Sequence, residues 1–200
     1  MKERTVRYTK EHKQETRQRI IATAGRRLKR DGIDGSGVAT LMKDAGLTNG
    51  AFYAHFASKD NLVDTAIADQ LRTLHVNIVE QAEPGPAGLE QIVRWYLSPD
   101  HRDDLDDGCP NAALLDEIAR SGDTTRQVYT DGVLVVIDGL AARMTPQDPL
   151  ASRVKALSLL GLMAGTLQLS RALMDRQLSD DLLEQGLRNA LVLVDAELRP

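Results

Sequence analysis

Residues 36–56 constrain the fold more than any other stretch of this chain. They read Ser-Gly-Val-Ala-Thr-Leu-Met-Lys-Asp-Ala-Gly-Leu-Thr-Asn-Gly-Ala-Phe-Tyr-Ala-His-Phe. Val38, Leu41, Met42 and Ala45 recur at helical spacing, and Gly46 tolerates the left-handed backbone that stops such a helix. Thr48 then stands where the cap of a second short helix, Asn49 to Phe56, belongs. Two short helices joined by a glycine-containing turn of about four residues make a helix-turn-helix. Leu41 and Phe52 are placed to pin the pair together, and the amino end of the second helix is left electropositive. In this motif that helix enters the major groove, so its leading residues, here Asn49, Gly50 and Ala51, meet base edges.

The remaining pattern is also helical. Thr9 is expected to cap a helix from Lys10 to Asp31, with Ile20, Ile21, Ala24 and Leu28 on one face and Gly32 as its stop. Gly25, in the middle of it, costs about 1 kcal/mol against Ala and implies a close contact there. Ser58 caps a long helix to about Ala82, with Leu62, Ala66, Leu71, Leu74, Ile78 and Val79 facing inward. Glu83-Pro84-Gly85-Pro86 breaks the chain, and helices follow over 87–97, 110–121, 123–144, 150–176 and 179–198, with a polar loop from Ser98 to Asp107. Val133 to Ile137 is rich in β-branched residues. Val128, Gly132, Val136 and Leu140 nevertheless repeat every fourth residue over a window too long for a strand. Only 4% of residues are aromatic, which agrees with helix. The expectation is an all-α fold of about nine helices. It comprises a three-helix helix-turn-helix domain over residues 1–60 and a larger helical ligand-binding and dimerisation domain over 61–200.

The net charge of −4 conceals a division: residues 1–60 hold 13 Lys or Arg against 7 Asp or Glu, and the other 140 hold 12 against 22. A basic module on an acidic body is the footprint of a nucleic-acid binder, although a solvated basic helix would look the same. The single cysteine excludes an internal disulfide and a Cys-based zinc cluster. With no secretory segment among the first residues, it suits the cytoplasm. Ala156 to Met174 is interrupted by Ser158, Thr166, Gln168, Ser170 and Arg171, so it reads as a buried helix and no membrane partner is expected. The acidic run 103–108 would place Leu105 and Leu114 at calcium-ligand positions, and His12, His55, His75 and His101 lack zinc spacing. Neither a metal nor a cofactor is expected, and no phosphate cradle or catalytic triad is recognisable.

From Gly50 the chain reads Gly-Ala-Phe-Tyr-Ala-His-Phe-Ala-Ser-Lys-Asp-Asn-Leu. This resembles the Gly-x-x-Tyr-x-His-Phe-x-x-Lys-x-x-Leu run of the TetR family of bacterial transcriptional regulators, and residues 9–65 follow the family's order of elements. The resemblance implies a non-enzymatic, homodimeric DNA-binding protein, most often a repressor released from a palindromic double-stranded operator by a small-molecule effector. It turns Asn49, Ala51 and Tyr53 towards bases, with Gly50 in the leading turn, and it gives Thr48, Tyr53, His55 and Lys59 to phosphates, with core packing an equal reading of His55. Lys10 and Lys13 reach the backbone or the minor groove. Gly37 stands where many relatives have Ser or Thr, so that phosphate contact passes to Ser36 or Thr40. Phe52 and Phe56 read as core.

The resemblance also places a dimer interface in the last two helices. Gly161 to Gly165 offers a small-residue seam there, and Leu183, Leu187, Ala190, Leu191, Val194 and Leu198 form a stripe that fits an intramolecular core equally well. It implies an effector cavity for which His75, Ile78, Ile92, Trp95, Tyr96, Leu115, Tyr129, Met163 and Thr166 are candidates, with ordinary core as the plainer reading of each. Cys109, in Gly108-Cys109-Pro110 at a helix amino end, is a further candidate, where the dipole favours thiolate, with a small buried hydrophobe as its plainer reading. Three alternatives stay open. They are a thiol-based sensor of electrophiles or oxidants, a DNA-binding protein without an effector, and a helical enzyme acting through Glu117, His75 or Cys109.

Overall fold

Glycine, proline and serine set the helix boundaries in the computed structural model, which describes residues 2–195 and, within them, the side chains of 10–194. Helix α1 (Lys2–Asp31) stops where Gly32 takes φ 78°, and α2 (Val38–Asp44) is followed by Gly46 at φ 72°, a conformation unfavourable for side chains with a Cβ. Thr9 lies inside α1 and not at its cap, because the helix begins eight residues upstream of Lys10. Asn49–Ala54 forms a 3-10 helix where an α-helix to Phe56 is expected. Ser58 accepts a hydrogen bond from the Asn61 N–H at 3.1 Å and opens α3 (Lys59–Leu74). The continuation is a π turn, His75–Val79, not a regular helix to Ala82.

After the Pro84–Pro86 break come α4 (Gly85–Tyr96) and α5 (Pro99–Asp103). Helix α5 replaces the expected polar loop, for reasons that were present in the sequence. Ser98 accepts the His101 N–H at 3.1 Å, and Pro99 occupies the first helical position, where its missing N–H is harmless. Then follow α6 (Pro110–Arg120) and α7 (Asp123–Met144), which carries Val133 to Ile137 in helix. A 3-10 turn, Pro149–Ser152, leads into α8 (Arg153–Ala172), and α9 (Arg176–Asp195) completes the order. The chain therefore breaks at residues 173–175, before the expected end of α8. Leu198 lies outside the described residues, among which there are nine α-helices and no strand.

Two apolar cores organise these helices. The first joins Ile20, Ala24 and Leu28 of α1, Leu41 and Met42 of α2, Phe52, Phe56, and Leu62 to Leu71 of α3, with Leu114 and Ile118 of α6. The second is built from Val79 and helices α4, α7, α8 and α9. Helix α3 floors the first core, and its π extension enters the second. The contact implied by Gly25 comes from α3, since a Cβ there would collide with the Gln70 side chain. Along α7, Gly132 and Gly139 lie two turns apart on the face that meets α3. A Cβ at Gly132 would come within 2.8 Å of Leu71 Cδ1, and one at Gly139 within 2.5 Å of Val79 Cγ1.

The segment linking α5 to α6 is held by a buried histidine. The Cys109 N–H donates to His101 Nε2 at 3.0 Å, so the ring carries its proton on Nδ1 and donates it to the Tyr96 carbonyl at 2.8 Å. Trp95 stacks on the ring at 4.5 Å, and burial holds the His101 pKa down to about 4.

Two predictions follow from this packing. Gly139→Ala gains about 1 kcal/mol of helix propensity but overpacks the stiff Val79, for a net loss of roughly 1 kcal/mol in urea unfolding. That loss should shrink when Val79 is also Ala. For His101, the unfolded chain binds its proton near pH 6.5 and the folded chain near 4. Stability is therefore full above pH 6.5 and falls as pH drops towards 4, by up to roughly 3 kcal/mol. Subtracting the pH profile of His101→Gln, which keeps a donor and an acceptor but does not titrate, should isolate that component.

Candidate nucleic-acid interface and effector region

Phe52 and Phe56, both buried and stacked at 5.8 Å, anchor the 49–54 segment in the first core. With that face committed, Thr48, Asn49, Gly50 and Tyr53 point outward, Tyr53 being 78% exposed, and Ala51 is half-buried at the edge. Thr48 occupies the cap position, yet its hydroxyl makes no capping bond, and Gly37 leaves the amino end of α2 equally bare. Both helix starts thus present free N–H groups of the kind that receive phosphate oxygens.

The other expected phosphate contacts divide. Ser36 is fully buried and its hydroxyl donates to the Gly32 carbonyl at 2.7 Å. This corrects its expected role, because the hydroxyl closes the turn after α1 and cannot reach DNA. Thr40 is half-buried on α2, and Lys10 and Lys13 are exposed on α1. Lys59 donates to the Ile33 carbonyl at 2.6 Å, which staples the start of α3 to the α1–α2 turn. His55 is half-buried with Nδ1 enclosed and unpartnered. Burial, then the charges of Lys13 and Arg17, hold its pKa below the usual histidine value. Sequence reasoning missed Arg17, whose guanidinium lies 4.8 Å over the Phe56 ring. Its spacing from Lys10 and Lys13 puts all three on one face of α1.

In the second core, Ile78, Ile92, Trp95, Tyr96 and Met163 come together with Leu74, Val136, Leu140 and Leu160 around a cavity of ≈ 10 Å³. That is room for about one water. The Tyr96 hydroxyl is buried beside Cys109, and burial, then Cys109, push its pKa well above the usual phenol value. Outside, Ile78, Ile92 and Trp95 also line a groove of ≈ 200 Å³ with Asn77, Gln81 and Gln91. These three side chains therefore stand between that small cavity and the outer groove.

The other effector candidates lie elsewhere, because the crossing angles of helices are not written in their periodicity. Leu115, 36% exposed, lines with Tyr129 an open groove of ≈ 540 Å³ between α6 and α7. Thr166 packs on Gly186 at the α8–α9 seam, and His75 lies against Gly139 with Nε2 3.2 Å from the Glu80 carboxylate. Cys109 is fully buried at the start of α6, where Asn111 Nδ2 donates to its Sγ at 3.2 Å and the Tyr129 hydroxyl donates to Asn111 Oδ1 at 2.7 Å. Burial and Cys109 push the Tyr129 pKa up to about 12.

Glu117 lies eight residues from Cys109, about 12 Å along α6. Its carboxylate accepts the backbone N–H groups of Ile33 and Asp34. A cleft of ≈ 490 Å³, walled by Asp34, Asp60, Asp64, Glu117 and Arg120, gave no sequence signal because its residues come from separate stretches.

Against known proteins, residues 20–66 match the family described as bacterial regulatory proteins, tetR family. The HTH-type transcriptional regulator TtgR of Pseudomonas putida is 40% identical over 78 residues, which cover 39% of this chain and 37% of TtgR. The chain thus spans well under half the length of that relative. Escherichia coli NemR, in a structure described as its reduced form, shares the fold with a TM-score of 0.70 at 20% identity, over 88% of this chain and 95% of NemR. Bacillus subtilis FadR, a transcriptional regulator described in complex with stearoyl-CoA, does so with a TM-score of 0.66 at 16% identity, over 88% of this chain and 96% of FadR. The amino-terminal module is thus similar in sequence to the bacterial regulatory proteins of the tetR family, and the whole chain shares its fold with the regulators named above.

Proposed function

We propose that this protein is a homodimeric transcriptional regulator, most often bound to a palindromic operator as a repressor and released from it by a small, mainly apolar effector. In this reading residues 1–60 contact DNA and 61–200 bind the effector and the second subunit. The observation that carries it is the 48–53 segment. Two buried phenylalanines force Asn49, Gly50 and Tyr53 outward at an uncapped, electropositive helix start, beside the basic face of α1. Asn49 suits bidentate contact with adenine, and the Tyr53 ring and Ala51 methyl suit contact with a thymine methyl.

Reading a palindrome takes two such segments about 34–36 Å apart, hence a second copy. Its seat is the outer face of α8 and α9. Val154, Leu169, Leu178 and Val192 are exposed there, and Gly161 and Gly165 face open space. Pro149–Ala172 has the length and mean hydropathy, 1.3, of a membrane span. Arg153, Lys155 and Arg171 within it favour a protein partner over lipid. The effector reading is supported by the apolar lining at Ile78, Ile92, Trp95, Tyr96 and Met163, which an occupant would open by displacing the wall. FadR, of the same fold, is described with an acyl-CoA. A thiol-sensing variant is the second reading, drawn from the Asn111 amide directed at Cys109 Sγ.

Duplexes selected from a random pool and titrated by fluorescence anisotropy test the DNA reading. Asn49→Ala and Tyr53→Ala should each weaken binding by about 1–3 kcal/mol, whereas Lys13→Ala should lower the slope of log affinity against log salt by about one. Sedimentation tests the second copy: Gly161→Leu should raise the dimer dissociation constant at least about tenfold. Wild-type protein that binds no duplex at low salt would refute the reading.

A further inference from the structure

Helix α6 follows the expected boundary by fifty residues, yet it packs into the DNA-contacting core. Leu114 and Ile118 are 1% and 2% exposed in the cluster that holds Leu41 and Phe52. On the same helix, Glu117 accepts the Ile33 N–H through both carboxylate oxygens at 3.0 Å and the Asp34 N–H at 3.3 Å. Gly32 makes room for this approach, since a Cβ there would stand 2.9 Å from Glu117 Oε1. The Ile33 carbonyl, in turn, is held by Lys59 of α3 at 2.6 Å. The residue that leads into the helix-turn-helix is therefore gripped at its N–H by α6 and at its carbonyl by α3. A second tie comes from Lys29, buried in α1, which donates to the Gly108 carbonyl just before α6 at 2.9 Å. At its amino end, α6 is tied to α7 through the Asn111–Tyr129 bond.

We infer that Glu117 is a positioning residue for DNA binding: through its bonds to the α1–α2 turn, α6 sets the orientation of the helix-turn-helix, so a shift of α6 at its Asn111 end alters operator affinity by way of this carboxylate. The inference rests on the DNA-binding reading above and adds the route of its control. The physics is that of a rigid strut. Glu117 lies six residues, about 9 Å, from Asn111 on one helix, so it moves with Asn111. Charge-assisted carboxylate bonds to backbone N–H groups are directional and roughly twice as strong as neutral ones, so the turn follows the helix. Were α3 the sole link, the turn would keep its place whatever α6 did.

A double-mutant cycle on the full-length protein decides the matter. Tyr129→Phe cuts the hydroxyl bond at the far end of α6 and leaves the ring. Glu117→Ala removes the grip, and Glu117→Gln keeps one acceptor oxygen. Tyr129→Phe should lower affinity for the selected duplex about fivefold in the wild-type background, by a smaller factor with Gln at 117 and less than about twofold with Ala. Equal factors in all three backgrounds, or no effect of Tyr129→Phe on the wild type, overturn the proposal. Without DNA, hydrogen exchange at the Ile33 and Asp34 amides should quicken at least about tenfold in Glu117→Ala and less in Glu117→Gln. Unchanged exchange also overturns the proposal. This readout separates the two levels of argument. A protein that binds no duplex refutes the DNA reading, while exchange still reports whether Tyr129→Phe loosens the turn only when Glu117 is present. If Ala at 117 unfolds the chain, the cycle runs on Gln alone.

Discussion

The burial of a single helix in two cores is the constraint on which the rest of the molecule depends. Leu62, Val63, Ala66, Ile67 and Leu71 of α3 are enclosed among α1, α2 and α6, and Val79, at the end of the π turn, is enclosed by the body. Fully burying a Leu or Ile is worth about 1.5–3 kcal/mol, so α3 is held too strongly at each end to change partners. The glycines at 132 and 139 let α7 pack closely on Leu71, Val79 and His75.

Much of this was legible in the sequence because helix signals are local. Gly32, Gly46 and Ser58 end or begin helices where their chemistry says they should, and the apolar positions of α1, α2 and α3 fill the core they predict. The departures share a cause. The π turn at His75–Val79, which carries Val79 into the second core, departs from a spacing that reads as regular helix. Helix α5 was announced by Ser98 and Pro99 and hidden by the acidic residues around them. Ser36 looks like a surface hydroxyl until the turn after Gly32 folds over it. The effector candidates were the least legible, since helical periodicity tells which face is covered but not which neighbouring helix covers it.

Charge shows the same difference between composition and structure. Of the basic residues in the first sixty, Arg27 pairs with Asp31 and Asp44, Arg30 with Asp31 and Asp106, and Arg26 lies 4.0 Å from Asp107. Lys29 and Lys59 are spent on backbone carbonyls. The carboxyl half of α1 therefore uses its charge to dock on the acidic stretch before α6, and Lys10, Lys13 and Arg17 lie on the part of the helix that projects beyond it. The acidic run 103–108, which fails as a calcium site by its spacing, thus has a structural use.

The double allegiance of α6 bears on how such proteins can be recombined. A hybrid regulator made by joining residues 1–60 to a foreign body would replace Leu114, Ile118 and Glu117 with whatever that body offers. Its helix-turn-helix module would then stand on an unmatched wall. The transplantable unit is discontinuous: it consists of the first three segments, the length of α3 as far as Leu71, and a helix that arrives only after α4 and α5 have been threaded.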